Sequence, residues 1–282
     1  MSLADRWDDD YEPPVLVEPA GGPVPPFRPY EDDPDVVQAA AGDPDARRLQ
    51  EQWDRKKAQL LRRWPKLAAK MVKELTAQAE QAIGAGDLAA LAELEVSAGV
   101  VAAVAVPIRT SGTELAAEAA AGVVEEAARQ QVTVTVPDEP GAERVRQHAD
   151  VVARIIANGY ASGAARTALQ LAGAGPQEVR DEVERHLTEL GESQNGLVGT
   201  EIGGLLSAAQ HAGRLAVLEE NPADEYEARE VSDGPNRCEP CGEVNGTRYL
   251  TLAEAIKDYP SAGFRGCLGR NRCRGGLHPI WT

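Results

Sequence analysis

The spacing of the cysteines constrains the C-terminal part of this chain more than any other feature. Cys238 and Cys241 form a C-x-x-C pair, and Cys267 and Cys273 follow a 25-residue insert with C-x5-C spacing. Four thiolates at such spacings can surround Zn²⁺ as a tetrahedron, at metal–sulfur distances of roughly 2.3 Å. Four protein ligands leave no position for water or substrate, so the pattern predicts a structural Zn²⁺ site.

Two disulfides are the alternative interpretation of the same four cysteines. The N-terminal sequence is acidic and has no apolar run typical of a secretory signal, so we expect the chain in a reducing cytosol. In that compartment a C-x-x-C motif with a second cysteine pair binds metal more often than it forms disulfides. The pattern therefore favours zinc. His278 could replace one cysteine, but it is interpreted as a bystander.

Charge and composition limit the classes of function. The net charge of −16 excludes a protein that binds nucleic acid over its whole surface. The charge is uneven, because residues 1–45 carry twelve acidic and two basic side chains, whereas residues 46–73 carry ten basic and two acidic ones. The longest apolar run, Val96 to Ile108, is shorter than the roughly 18 residues of a spanning helix, which predicts a soluble protein without a membrane partner.

The sequence divides into three predicted regions. Residues 1–45 contain nine prolines and form an acidic arm that we expect to be extended. Residues 46–196 form a helical domain, and residues 197–282 form a C-terminal domain whose zinc module occupies residues 226–282. The predicted fold class is mainly α, with long alanine-rich helices, a small α+β zinc-binding module at the C-terminus and the extended N-terminal arm.

Prolines and short motifs predict where individual elements begin and end. Trp64-Pro65 predicts a break or kink in the first helix, and Pro107 predicts the end of a helix that Asp87 caps. An S-x-x-E motif at 111–114 predicts the start of the next helix, and period-two alternation at 131–136 predicts a strand. Further helices are expected at 142–171, 176–190 and 199–220, with a strand at 226–231, a hairpin turn at 245–246 and a capping box at 251–254.

The order of short motifs after residue 197 is similar to that of a known family. These motifs are Thr200-Glu201 and Ala212-Gly213-Arg214 on one helix, a strand, an Asp-containing turn before the C-x-x-C pair, Asn245-Gly246-Thr247, Tyr259-Pro260 and Asn271-Arg272-Cys273-Arg274. The set resembles the C-terminal domain of phage minor head proteins of the Mu F type, the head morphogenesis family, over residues 197–280. The family usually closes with a His-Pro-x-Cys-Arg-Cys-like run, whereas here His278-Pro279 follows the cysteines.

The resemblance implies a structural minor capsid protein of a tailed phage, docked at or near the portal and acting in head assembly or in DNA packaging or ejection. It implies a location in the virion, in the head interior or at the portal vertex, after synthesis in the host cytoplasm. The implied partners are the portal protein, the major capsid protein or both, with packaged DNA as a further one and no small-molecule substrate. The alternative is a zinc-dependent nucleic-acid-binding or regulatory protein.

The sequence predicts no enzyme. It contains no G-x-S-x-G, H-E-x-x-H or P-loop motif and no glycine-rich dinucleotide turn after a strand. The four histidines are scattered, and the acidic clusters lie in the arm, where preorganised catalysis is not expected. We therefore expect no catalytic residues.

Contact residues are expected in three places. In the arm, apolar anchors are expected to bind a partner: Trp7, Tyr11, Phe27 and Tyr30. In the first helical segment, a positive stripe is expected to meet DNA or an acidic protein: Arg55, Lys56, Arg62, Arg63, Lys66 and Lys70. In the zinc module, phosphate or acidic-surface contacts are expected from Arg265, Arg270, Arg272 and Arg274. A solvated helix face is the alternative interpretation of the stripe.

Overall fold

The computed structural model describes residues 44–192, 196–229, 238–260, 263–268 and 275–282, which all belong to one compact unit. The fold is mainly helical with a small sheet near the C-terminus, which confirms the predicted fold class. The predicted arm lies outside the described residues except for Pro44 and Asp45.

Five long helices and a short 3-10 helix precede the sheet. They are α1 (Pro44–Ala85), the 3-10 helix (Ala89–Glu93), α2 (Ala98–Arg129), α3 (Ala142–Gln170), α4 (Pro176–Glu192) and α5 (Leu197–Glu220). The elements that follow are β1 (Glu225–Arg229), α6 (Glu239–Val244), β2 (Arg248–Tyr249), α7 (Leu252–Asp258) and β3 (Gly276–Ile280). The helices expected at 142–171, 176–190 and 199–220 are thus confirmed within a few residues.

Helix α1 continues through Pro65, so a break at this proline is wrong, and the alternative of a kink stays a prediction. Pro65 removes one backbone hydrogen bond and costs about 3 kcal/mol in an isolated helix. The buried side chains of Trp64 and Ala68 lie on either side of it, in a stripe that extends from Leu60 to Leu75. Burial of this stripe against the other helices offsets the local cost, because most helical stability in a protein comes from packing.

Helix α2 also contains its proline, and this corrects two further predictions. Pro107 lies inside α2 and does not end a helix, and Ser111 is buried within the same helix and does not cap a new one. Asp87 does accept a hydrogen bond from the Ala90 N–H at 3.2 Å, but the element that follows is the 3-10 helix, whose N-cap residue is Leu88. Buried Ile108 fixes the segment around Pro107 in the core.

The alternating segment 131–136 is not a strand. Its backbone is bound by a side chain instead of a neighbouring strand. Asn221, at the end of α5, accepts a hydrogen bond from the Thr135 N–H at 2.8 Å and donates one to the Thr135 carbonyl at 2.7 Å. The amide of Asn221 therefore supplies the two bonds that a strand partner would have made.

Helices α2 and α5 cross at very short range. A Cβ atom on Gly213 of α5 would lie 2.0 Å from the carbonyl oxygen of Ala116 in α2, so only glycine fits there. Helices α4 and α5, on either side of the predicted boundary at 196/197, both pack against α1 and α3. The domain limits that we expect from the sequence stay a prediction.

The three strands form one antiparallel sheet in the order β2-β1-β3. Tyr226 in β1 pairs with Tyr249 on one side and with Pro279 on the other. Helix α6 lies between β1 and β2, so Asn245-Gly246 ends that helix and does not form a two-residue hairpin turn. The Thr251 half of the capping box predicted for α7 is confirmed, because Thr251 Oγ1 accepts a hydrogen bond from the Glu254 N–H at 3.2 Å.

The sheet and α7 share a hydrophobic core with the long helices. Tyr226, Tyr249 and Tyr259 are buried in one cluster with Val123 of α2 and Val217 of α5. The small C-terminal elements therefore do not depend on a core of their own. They cover the ends of two helices that are already part of the bundle.

One segment of the described chain, Ala89–Arg129, is long and apolar enough to cross a membrane by length and composition alone. The count of uninterrupted apolar residues in the sequence did not detect it. Of its most apolar window, 22% is buried in the fold. The buried core helix of a soluble protein passes the same test of length and composition, so one such segment is weak evidence of a membrane span. The expected absence of a membrane partner stays a prediction.

Candidate metal centre

Helix α6 brings two of the predicted zinc ligands to one side of a single helical turn. Cys238 is the N-cap residue, with an extended backbone at φ −70° and ψ 148°, and Cys241 lies in the first turn. Pro240 occupies the start of the helix, where its missing N–H is not needed. Residues three apart share a helix face, so the C-x-x-C spacing places both thiols together.

The third thiol is brought in by the loop after α7. The Arg265 N–H donates to the Asp258 carbonyl at 2.8 Å, and the Cys267 N–H donates to the Phe264 carbonyl at 3.0 Å. The Phe264 ring packs on Tyr259 with its centre 5.8 Å away. A Cβ atom on Gly266 would lie 2.6 Å from the Phe264 ring, so glycine lets the loop fold tightly under it.

The three thiols form a cluster whose geometry suits a metal ion. The sulfur atoms of Cys238, Cys241 and Cys267 lie within 4.8 Å of one another, and those of Cys238 and Cys267 are 3.8 Å apart. A tetrahedral Zn²⁺–thiolate site with bonds of about 2.3 Å requires sulfur–sulfur distances of about 3.8 Å. A disulfide requires about 2.05 Å. The donor set therefore fits a tetrahedral metal better than it fits a disulfide.

The fourth predicted ligand, Cys273, lies outside the described residues. His278 does not belong to the cysteine cluster. It is buried in β3, with its Nδ1 atom 3.8 Å from Glu126 Oε2, in a second cluster that also contains Asp45. This agrees with its interpretation as a bystander of the metal site.

The second cluster could hold a metal by distance alone, but its charges oppose one. The Asp45 carboxylate pairs with Arg129 and, at 3.2 Å, with Arg48. The Glu126 carboxylate accepts hydrogen bonds from both terminal nitrogens of Arg214, at 2.6 and 2.8 Å. Both carboxylates are already neutralised by guanidinium groups, which would repel a divalent cation. The cluster is therefore a structural ion-pair network.

The Glu126–Arg214 pair is almost completely buried, with side chains 4% and 5% exposed. Burial by itself would raise the pKa of Glu126. The charge of Arg214, its hydrogen bonds and the charges of His278 and Arg48 outweigh burial, so the pKa lies below the usual value for glutamate. Arg214 also donates to the Leu277 carbonyl of β3 at 2.8 Å. The pair therefore joins α2, α5 and β3.

A buried histidine makes a second connection between α5 and the C-terminal elements. His211 Nε2 lies 2.8 Å from the carbonyl oxygen of Tyr259, which requires that Nε2 carry the proton and donate it. The pKa of His211 is lowered to about 4, chiefly by burial. The hydrogen bond to Tyr259 opposes this shift, and the charges of Arg214 and Arg144 add to it. His211 is therefore neutral in the folded protein near neutral pH.

The chain was compared with protein-family models, with curated proteins and with solved structures. None of the three comparisons finds a match.

The motif residues on which the phage head resemblance rests have structural roles in this fold. Gly213 allows the close crossing of α2 and α5, and Arg214 forms the buried ion pair. Tyr259 is fully buried, and its carbonyl accepts the bond from His211. These contacts give Gly213, Arg214 and Tyr259 structural roles within this fold.

The predicted positive stripe on α1 divides into two groups. Lys56 is 7% exposed, and its ammonium lies 2.5 Å from Glu114 of α2, so it is wrongly placed in the outward-facing set. Arg55 binds Glu118 at 2.5 Å and also joins α1 to α2. The other four are exposed and have no carboxylate partner among the described residues: Arg62, Arg63, Lys66 and Lys70.

The remaining predicted contacts are only partly visible. Arg265 is exposed, with its Nε atom 3.6 Å from Asp258 Oδ1. The other arginines of the zinc module (Arg270, Arg272 and Arg274) and the arm anchors (Trp7, Tyr11, Phe27 and Tyr30) lie outside the described residues.

Sequence reasoning missed the buried network around Glu126. Glu125 and Glu126 are adjacent in an alanine-rich helix, and the sequence offers no sign that only the second is buried. His211 is one of the four scattered histidines of the sequence, and in the structure it is buried and binds the Tyr259 carbonyl. Arg214, at the end of the Ala212-Gly213-Arg214 motif, was the one residue in the sequence that could have indicated a buried ion pair.

Proposed function

We propose that Cys238, Cys241 and Cys267, with Cys273 as the fourth ligand, hold one structural Zn²⁺ ion. The observation that carries this proposal is the 3.8 Å separation of the Cys238 and Cys267 sulfur atoms, the spacing of a tetrahedral thiolate site. Bound zinc would supply no chemistry to a substrate. It would tie the loop after α7 to the first turn of α6.

Native mass spectrometry of the purified chain tests the metal site. We expect one zinc per chain, and we expect Cys267→Ser to lose it. Leu268→Ser is the matched control, because Leu268 is adjacent and 73% exposed, so this variant should keep the zinc. A folded wild-type chain without metal, or one whose cysteines form disulfides, would contradict the proposal.

We further propose that the chain is a structural minor head protein of a tailed phage, docked at or near the portal, and not an enzyme. The support is the ordered set of motifs between residues 197 and 280, together with a fold in which those motifs connect a small cysteine module to a helical bundle. The portal protein, the major capsid protein or both would be its partners. In this role the module acts as a fixed surface and not as a reaction site.

Mass spectrometry of purified virions tests the head-protein proposal. The chain should be present in few copies per particle. The second test reverses Arg62, Arg63 and Lys66 to Glu, which should leave the fold intact because exposed charges contribute little to stability. This variant should lower incorporation into heads or the yield of infectious particles. Absence of the chain from virions would refute the proposal.

A zinc-dependent nucleic-acid-binding protein is the second candidate. Four exposed cations of α1 favour it, because they have no carboxylate partner among the described residues: Arg62, Arg63, Lys66 and Lys70. Binding to phosphates would weaken steeply as salt rises from low to physiological concentration. Retention of the purified chain on immobilised duplex DNA, measured across that range, separates the two candidates. Strong, salt-sensitive retention would favour the DNA-binding protein.

A further inference from the structure

A groove of about 590 Å³ runs between α1 and α4. Trp64 and Tyr160 form its floor, where the Trp64 indole N–H donates to the Tyr160 hydroxyl at 2.9 Å. A Cβ atom on Gly191 would lie 2.6 Å from that hydroxyl, so a small residue keeps this end of α4 close to the floor. The walls are largely apolar: Pro65, Ala68, Ala69, Val72 and Ala77 on α1, and Leu187 on α4.

The α1 wall of this groove carries a row of cations. Lys73 lines the groove itself. Arg62 and Lys66 precede the lining residue Ala69 by seven and three positions, so all four side chains share one stripe of the helix. The three cations are exposed and have no carboxylate partner among the described residues. The row therefore offers unneutralised positive charge along one edge of an apolar surface.

The α4 wall has a different charge. Arg180 is paired with Glu80 at a distance of 3.2 Å, so it contributes little net charge. Glu184 lines the groove on this side and is exposed. An anionic ligand would be attracted to the α1 wall and repelled from Glu184. The charge pattern thus sets the side of the groove on which negative groups of a ligand would lie.

We propose that this groove is a docking site for an acidic peptide segment of a partner protein. Apolar side chains of the segment pack over Pro65, Ala69 and Val72. Its carboxylates face Arg62, Lys66 and Lys73. The apolar floor favours a peptide over nucleic acid, because a phosphate backbone has no apolar side chains to bury there. This inference does not depend on the head-protein proposal, since any acidic partner with apolar anchors fits it.

Selection of a random peptide display library on the immobilised full-length chain tests the proposal. The enriched peptides should contain Asp or Glu together with Trp, Phe or Leu. One enriched peptide is then labelled with a fluorophore, and its dissociation constant is measured by fluorescence anisotropy at low and physiological salt. Tighter binding at low salt is expected, because exposed charges are screened within about 10 Å at moderate ionic strength.

Two variants and their controls connect the binding to the groove. Lys66→Glu with Lys73→Glu should weaken the labelled peptide at least about tenfold, since two attractions become repulsions. Ala69→Trp should abolish binding by filling the groove, because Ala69 is exposed and the larger side chain has room to fold over it. The matched controls should bind as the parent does: Arg154→Glu with Arg166→Glu on α3, and Ala103→Trp on α2, all at exposed positions.

Three results would overturn the inference. The first is enrichment of no peptide, or of peptides without acidic residues. The second is a peptide whose affinity is unchanged by both groove variants while circular dichroism shows that they are folded. The third is that a labelled DNA duplex binds the parent and displaces every selected peptide, and that this duplex no longer binds the variant with Lys66→Glu and Lys73→Glu.

Discussion

Replacing Glu126 by Gln tests whether the buried ion pair holds α2, α5 and β3 together. The substitution keeps the shape of the side chain and one acceptor but removes the charge. Arg214, whose side chain is 5% exposed, then keeps its positive charge without a carboxylate at 2.6 and 2.8 Å. It retains its bond to the Leu277 carbonyl at 2.8 Å.

The expected cost follows from the burial of the pair. Removing one member of a buried pair costs roughly 3–5 kcal/mol, and the retained acceptor of Gln places this variant at about 3 kcal/mol. Replacing both partners, with Glu126→Leu and Arg214→Met, removes the uncompensated charge. The double variant should therefore cost at least about 2 kcal/mol less than the sum of its two single variants.

Urea unfolding followed by far-UV circular dichroism, at one pH and with zinc present, measures these costs. Glu219→Gln is the matched control, because Glu219 pairs with Arg144 at 2.8 Å between α3 and α5 with both side chains about half exposed. It should cost under about 0.5 kcal/mol. A Glu126→Gln cost under about 1 kcal/mol, or single costs that simply add, would refute this reasoning.

Three further predictions concern acid stability and packing. First, the pKa of His211 is 6.5 in the unfolded chain and about 4 in the folded one. Between these pH values the unfolded chain therefore binds a proton that the folded chain does not, and the free energy of unfolding decreases as the pH falls through this range. His211→Gln should reduce the slope of the unfolding free energy against pH in that window, by up to about 1.4 kcal/mol per pH unit, and an unchanged slope would contradict this. Second, the pKa of Glu126 is lowered on folding, so its contribution is present above about pH 4.3, the unfolded value, and is lost as the pH falls through the folded pKa. In Glu126→Gln the remaining acid sensitivity below that pH should be smaller than in the parent, as measured by the same unfolding series. Third, Gly213→Ala should destabilise the fold by about 3 kcal/mol or more, since its Cβ would lie 2.0 Å from the Ala116 carbonyl oxygen, whereas Gly99→Ala, which meets no atom within 4 Å, should be neutral or stabilising in thermal unfolding.

The helical spacing of apolar residues was sufficient to predict the helices that lack internal prolines. α3, α4 and α5 begin and end close to their expected limits, because their apolar stripes and terminal Gly or Pro residues agree. α1 and α2 were divided wrongly at Pro65 and Pro107. The rule that proline ends a helix considers only the backbone hydrogen bond that is lost. It does not include the packing of buried side chains against other helices, which offsets that loss.

The cysteine site was predictable to the extent that its geometry is local. Cys238 and Cys241 share one turn, so their spacing alone brings them together. Cys267 was also predicted as a ligand from the cysteine spacing, but it reaches the other two through a loop that depends on Phe264 packing on Tyr259, a contact that the sequence analysis did not predict. The sequence could not predict that the Lys56 side chain is buried and not exposed, because its partner, Glu114, lies 58 residues away on another helix.

Helix α1 can be considered as a mechanical element. Its 42 residues correspond to a rod of about 63 Å. Pro65 has no N–H to donate to the carbonyl of Leu61, so bending there costs less than bending anywhere else along the rod. This single compliant joint lies in the wall of the groove between α1 and α4. A force applied to either end of α1 would therefore bend the helix mainly at Pro65. This bending would change the width of the groove before it disturbed the cysteine cluster.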